Sequence, residues 1–263
     1  MRIFFLMTLF AALFITGCDR ESTTDSNASN QLAELKKTHK TLPDFSVYTD
    51  VNAKKDAFFN YLLPLIEQVN YEIAQERQYI LSAQARYPKL TNTDQEKLQA
   101  LGKKYSIEEA EGKLLMTQLL HQVRPVPTSL ILAQAANESA WGTSRFAVQG
   151  NNLFGQWCFR KGCGLVPQGR GEGQIHEVAK FATPLHSVRS YVRNLNSHWS
   201  YVDLRQLRED EIDSNGYATG HHLAAGLIRY SERGEEYIEE IRSMIRFNQL
   251  ERFDIPPSAQ ATE

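Results

Sequence analysis

The stretch Pro127 to Gly155, PTSLILAQAANESAWGTSRFAVQGNNLFG, constrains this chain most, because it starts too apolar for a surface and ends too polar for a core. Leu130, Ile131, Ala133, Ala135 and Ala136 predict a buried helix, with Thr128 and Ser129 positioned to cap its start. Glu138 falls in the last turn. Counting back four and seven positions reaches Gln134 and Ile131, so the carboxylate shares a helix face with an apolar side chain. The negative end of the helix dipole and partial desolvation both disfavour the ionised form, and a raised pKa suits a general acid near neutral pH. Trp141 is expected to wall off water. In isolation, Asn137-Glu138-Ser139 would simply end a core helix in a polar turn.

The longer pattern changes that reading. A-x-x-E-S-x-W-G-x-S over residues 135–144, followed by Asn151-Asn152-Leu153-Phe154-Gly155, resembles the glucosaminidase family of peptidoglycan hydrolases, glycoside hydrolase family 73, and within it the bacterial Bax group. The resemblance extends over roughly residues 50 to 250. It implies an α+β, mostly α, lysozyme-like fold with a helical lobe, a small β-lobe and a cleft between them. It also implies a glycan strand of peptidoglycan as substrate, cut after N-acetylglucosamine without metal or organic cofactor.

Glycoside hydrolysis usually pairs a carboxylic acid with a second carboxylate that activates water or attacks the sugar. Glu138 takes the acid role. Glu172, in the Gly-rich loop 169–173, and Glu177, on the following strand, are the candidates for the second, and the residues do not choose between them. Each also reads as a solvated surface charge. The segment Tyr230-Ser231-Glu232-Arg233-Gly234-Glu235-Glu236-Tyr237 resembles the family's tyrosine-containing segment before its final helix. That resemblance implies that Tyr230 orients substrate or stabilises the sugar cation, whereas Tyr237, at helical spacing, is assigned to the core. Asn151, Asn152 and Phe154 are expected on the floor of the sugar site, with Trp141 and Trp157 as further contacts. Asn-Asn-Leu-Phe-Gly reads equally as a structural turn feeding the first strand.

The first residues carry a different signal. Arg2 precedes an apolar run from Ile3 to Ile15, too short to span a bilayer comfortably but suited to a secretory signal over residues 1–17. Phe14-Ile15-Thr16-Gly17-Cys18 resembles the lipobox of bacterial lipoproteins, which implies acylation of Cys18 and a membrane-anchored protein of the bacterial cell envelope, facing the periplasm. Asp19 directly after it favours the inner membrane. Residues 18–50 are then a flexible tether, Ser-, Thr- and Asn-rich at its start. With Cys18 acylated, Cys158 and Cys163 remain, and an oxidising compartment predicts that they pair, contributing about 2 kcal/mol on the chain-entropy model. The histidines show no metal-ligand spacing.

Residues 51–123 are expected to be a helical extension. Its first helix, running to about residue 85, should be kinked or split by Pro64. Thr93-Asp94-Gln95-Glu96 and Ser106-Ile107-Glu108-Glu109 both read as capping boxes of later helices. Arg124-Pro125-Val126-Pro127 marks a boundary, so residues 124–255 form the glucosaminidase domain and residues 256–263 a loose tail. Inside that domain, Gln156–Phe159, Gly164–Val166 and Gln174–Phe181 read as short strands, and helices are expected over 184–196, 201–212, 218–229 and 235–248. A formal charge of −2 on 263 residues gives no basic footprint for nucleic acid. Two other functions fit the same residues: a lytic transglycosylase, which uses one glutamate as both acid and base, and a non-catalytic wall-binding lipoprotein.

Overall fold

A computed structural model describes residues 41–254. The signal segment, Cys18, most of the tether and the tail from 256 lie outside the described residues. The fold begins earlier than expected: Phe45, in a 3-10 turn over Phe45–Val47, is buried edge-on against Phe58 and Tyr61. The last residues assigned to the tether therefore belong to the folded body.

Helix α1, Val51–Arg86, opens on Asp50, whose side chain accepts from the Ala53 N–H at 2.8 Å. It buries Phe58, Phe59, Leu62, Leu65, Ile66, Val69 and Ile73. Pro64 sits inside it without splitting it. A proline there costs about 3 kcal/mol, and burying its neighbours Leu62, Leu65 and Ile66 at about 1.5–3 kcal/mol each outweighs that loss.

Helix α2, Asn92–Lys104, is capped two residues earlier than expected, because Thr91 and Asp94 form the capping box and Thr93 does not. Helix α3, Gly112–Gln122, starts well after Ser106 and has no side-chain cap, so the second expected capping box is absent. Ser106 instead adopts φ 59°, a turn conformation outside any helix. Helix α4, Thr128–Ser139, follows Pro127, and neither Thr128 nor Ser129 caps it. Its free N-terminal donors are met from the far end of the chain. Asp254 accepts the Ser129 N–H at 2.9 Å, the Ser129 hydroxyl, and the Gly220 N–H at 2.9 Å.

After helix α5, Arg145–Gly150, comes the small sheet. Strands β1 (Trp157–Cys158), β2 (Gly164–Leu165) and β3 (Glu177–Ala179) pair antiparallel in the order β1-β3-β2, with Val178 opposite both Trp157 and Leu165. Cys158 and Cys163 form the expected disulfide across the β1–β2 loop. Helices α6 (Pro184–Ser197), α7 (Val202–Asn215), α8 (Gly220–Leu223) and α9 (Glu235–Phe247) complete the body. The helix expected over 218–229 breaks after α8 into a 3-10 turn, Ala224–Leu227. There Gly226 runs so close to α7 that a Cβ on it would lie 2.4 Å from the Leu204 Cα.

One apolar cluster runs through both the extension and the part after residue 124, from Phe45 through Leu62, Leu119, Leu130 and Val192 to Ile245. The junction is also pinned by polar groups. Arg208 of α7 is fully buried, and it donates to the carbonyls of His121, Gln122 and Arg124 and to Asn196 Oδ1 at 2.6 Å. The carbonyls of His121 and Gln122 belong to the last turn of α3, where the helix supplies no donor of its own. Burial lowers the Arg208 pKa to about 9. The result is the mostly helical α+β architecture expected, with the β-lobe at one side of an open cleft.

Candidate active site

The cleft encloses about 1090 Å³. Helix α6 supplies its floor: Ser190, Asn194 and Ser197, spaced one turn apart, face it together with Arg193. Phe154, Gly155, Gln156 and Trp157 come from the loop into β1, and Trp199, Tyr201 and Tyr230 add aromatic surface. Trp157 is 59% exposed and stacks on His176 at 4.1 Å, while Trp199 is 67% exposed. Lys103, Lys104 and Ser106, from the end of α2, form the remaining wall. The extension therefore takes part in the cleft rather than merely supporting it.

Among the described residues, Glu138 is the only carboxylate on that lining. It sits in the last turn of α4, which ends on Ala140 in the left-handed conformation. Desolvation raises its pKa, against the opposing effect of hydrogen bonds from Tyr237 and Asn137. Tyr237 donates to Oε1 at 2.7 Å. The other oxygen faces Gly155, where φ is +64° and where even a Cβ would reach only to 3.8 Å from Oε2. A glycine here both permits the turn and leaves that oxygen uncrowded.

Behind Tyr237 runs a directed chain of hydrogen bonds. Tyr191 donates to Gln134 Oε1, and Gln134 Nε2 donates to the Tyr237 hydroxyl at 2.8 Å. With its oxygen receiving that bond, Tyr237 gives its own proton to Glu138. Phe154 lies parallel on Tyr191 at 3.9 Å and locks the far end. Gln134 and Tyr191 are buried, so the carboxyl is oriented by groups that have no solvent to turn toward.

The ring of Tyr237 is in the core and Tyr230 is on the cleft, as expected, but the Tyr237 hydroxyl also reaches Glu138. Tyr237 holds the acid, although its ring is buried, whereas Tyr230 stacks on Tyr237 at 5.2 Å and donates to the Phe154 carbonyl at 2.9 Å. Tyr230 does line the cleft, and its bond fixes the loop opposite Glu138.

Neither candidate for a second carboxylate lines the cleft. Glu177 is 5% exposed and accepts the backbone N–H groups of Gly162 at 2.9 Å and Gly164 at 2.7 Å, which hold its pKa below the usual carboxylate range. It braces the disulfide loop. Although it lies beside Cys158 and Cys163, their sulfurs are bonded to each other, so no thiolate pair is present to hold a metal. Glu172 is exposed on the β2–β3 loop.

Three expected sugar contacts also have other work. Trp141 does not line the cleft; it packs edge-on against Phe58 and Phe59 of α1 with the Lys55 ammonium over its ring. Asn151 ends α5 and donates to the Phe181 carbonyl at 3.0 Å. Asn152, 1% exposed, donates to the carbonyls of Gln156 and Ala179 and accepts from the N–H groups of Phe154 and Gln156. These asparagines tie the helical lobe to the β-lobe, as a structural turn would. Phe154 and Trp157 remain on the cleft.

A family model described as Glucosaminidase, mannosyl-glycoprotein endo-beta-N-acetylglucosaminidase, matches residues 115–250. Protein bax of Escherichia coli (strain K12) is 30% identical over 211 residues, which cover 80% of this chain and 75% of that protein. The crystal structure of the catalytic domain of the autolysin Auto from Listeria monocytogenes aligns over 93% of this chain and 100% of that one, at a TM-score of 0.41 and 18% identity.

Proposed function

Because the chain belongs to the glucosaminidase family, we propose that it is a peptidoglycan hydrolase, an endo-β-N-acetylglucosaminidase that cuts the glycan strand after N-acetylglucosamine. One observation carries this reading: Glu138, its pKa raised by burial and one oxygen held by Tyr237, faces an open cleft with exposed tryptophans. Such an acid keeps its proton into the pH range where the leaving oxygen needs it. Tyr237 occupies Oε1, so Oε2 is the oxygen that carries the proton toward the sugar.

Among the described residues, the usual second carboxylate has no counterpart on the cleft lining. On this reading the 2-acetamido carbonyl of the N-acetylglucosamine itself attacks C1 as Glu138 protonates the departing oxygen. The resulting oxazolinium is opened by water that returns its proton to Glu138. Exposed Trp157 and Trp199 offer faces for sugar rings. Cys18 acylation would hold the enzyme at the inner membrane facing the periplasm. Loss of incorporated radiolabelled palmitate in Cys18→Ser is the expected outcome there.

The same lone carboxylate favours a second reading, a lytic transglycosylase, in which one glutamate is both acid and base. The products separate them. Digestion of purified sacculi followed by mass analysis is expected to give reducing N-acetylglucosamine ends. Fragments ending in 1,6-anhydro-muramic acid would establish the transglycosylase instead, and binding without any release of fragments would leave only a wall-binding lipoprotein.

A further inference from the structure

We infer that Lys103 and Arg193 form a cationic subsite for the carboxylates of the peptide stems that hang from the glycan strand, an inference that rests on the peptidoglycan reading above. Three cations line the cleft that holds Glu138: Lys103 and Lys104 from α2, and Arg193 from α6. Lys104 is already neutralised by Glu76 at 2.6 Å, and that carboxylate also accepts from the Tyr105 hydroxyl at 2.7 Å. Arg189, one turn before Arg193, is likewise held by Glu72 at 2.6 Å. Lys103 and Arg193 differ. Both are exposed, and neither makes an ion pair among the described residues. Glu108 and Glu111 line an adjoining groove together with Lys103, yet neither is paired with it.

Two uncompensated cations on one cleft are notable in a chain with 31 acidic and 29 basic side chains. They come from elements far apart in sequence, and Lys103 precedes the residues matched by the family model. A glycan backbone of N-acetylated sugars offers them no charge. The anionic groups of the polymer are the carboxylates of stem peptides, which project from the lactyl ether of each muramic acid and so meet a cleft wall rather than the scissile bond. An ammonium and a guanidinium on such a wall attract them over a screening length of about 8 Å at physiological salt.

The test uses uncross-linked, peptide-bearing glycan strands, their stem carboxylates either free or capped as methylamides, and full-length protein carrying Glu138→Gln. Strands with free carboxylates are expected to bind about five-fold more tightly at low salt, as two solvent-exposed charge pairs permit. Adding Lys103→Gln and Arg193→Gln should abolish that preference, whereas Lys113→Gln, an exposed cation on α3 away from the cleft, should retain it. Equal binding of both strands, or a preference that survives the double substitution, overturns the subsite. Cleavage by the unmodified chain is followed in parallel. If neither strand is cut, the hydrolase reading fails while the binding comparison still decides the subsite.

Discussion

Glu138 and Glu177 are both glutamates at the end or start of a short element, and the protein treats them in opposite ways. Glu177 is supplied with two backbone N–H groups, which stabilise its charge. Glu138 is half-buried beside apolar and aromatic walls with side-chain donors alone, and desolvation prevails. That difference separates a brace from the proton donor proposed above: donors that do not move favour the carboxylate, and their scarcity favours the acid.

The largest effect expected to test this contrast is on activity. Glu138→Gln should lower kcat on sacculi by about 10³-fold, whereas Glu177→Gln and Glu172→Gln should each stay within a few-fold of the unmodified enzyme, measured as released reducing ends. A loss from either of the latter that matches Glu138→Gln would return the second carboxylate to the mechanism.

Next comes Tyr237→Phe, expected to cost about 10- to 100-fold in kcat through loss of a charge-assisted hydrogen bond. The pH profile distinguishes positioning from simple damage. On the proposed function activity requires protonated Glu138, so kcat/KM should fall as pH rises through its raised pKa. Since the Tyr237 bond favours the charged form, its removal should move that limb to higher pH.

The smallest effect is on stability, and the two glutamates should differ in sign. The depressed pKa of Glu177 means that its stabilisation is present above its ordinary carboxylate pKa and fades as pH falls through its folded value. Glu177→Gln should therefore lower the melting temperature at pH 7, by a margin that narrows on acidification. Glu138, with a raised pKa, destabilises the fold progressively as pH climbs above 4.5. Glu138→Gln should leave the melting temperature at pH 7 unchanged or higher. Thermal scans of both variants between pH 3 and 8 would show the divergence or its absence.

Much of the frame was legible because its signals are local. The helix leading to Glu138, the short strands and the cysteine pair each follow from runs of neighbouring residues. What escaped depends on contacts between distant segments. Tyr237 was assigned to the core because helical spacing reports where a ring goes but not where its hydroxyl ends. Asp254 capping α4 through Ser129 joins positions at opposite ends of the domain, so no capping motif beside the helix announces it. The same holds for Lys103 on the cleft wall. Asn152 shows a different failure: an amide that satisfies four backbone groups and one that touches a sugar are the same letter in the sequence.

Arg208 carries an implication for how such a protein can be taken apart. Its guanidinium rivets the last carbonyls of the extension, those of His121 and Gln122, to the helix behind the cleft floor, and it is itself fully buried. A chain shortened to start at residue 124 would strand that cation beside severed partners and strip one face from the shared interior. The segment before the glucosaminidase match is thus no detachable accessory; inheritance of the enzyme without it would require a redesigned seam.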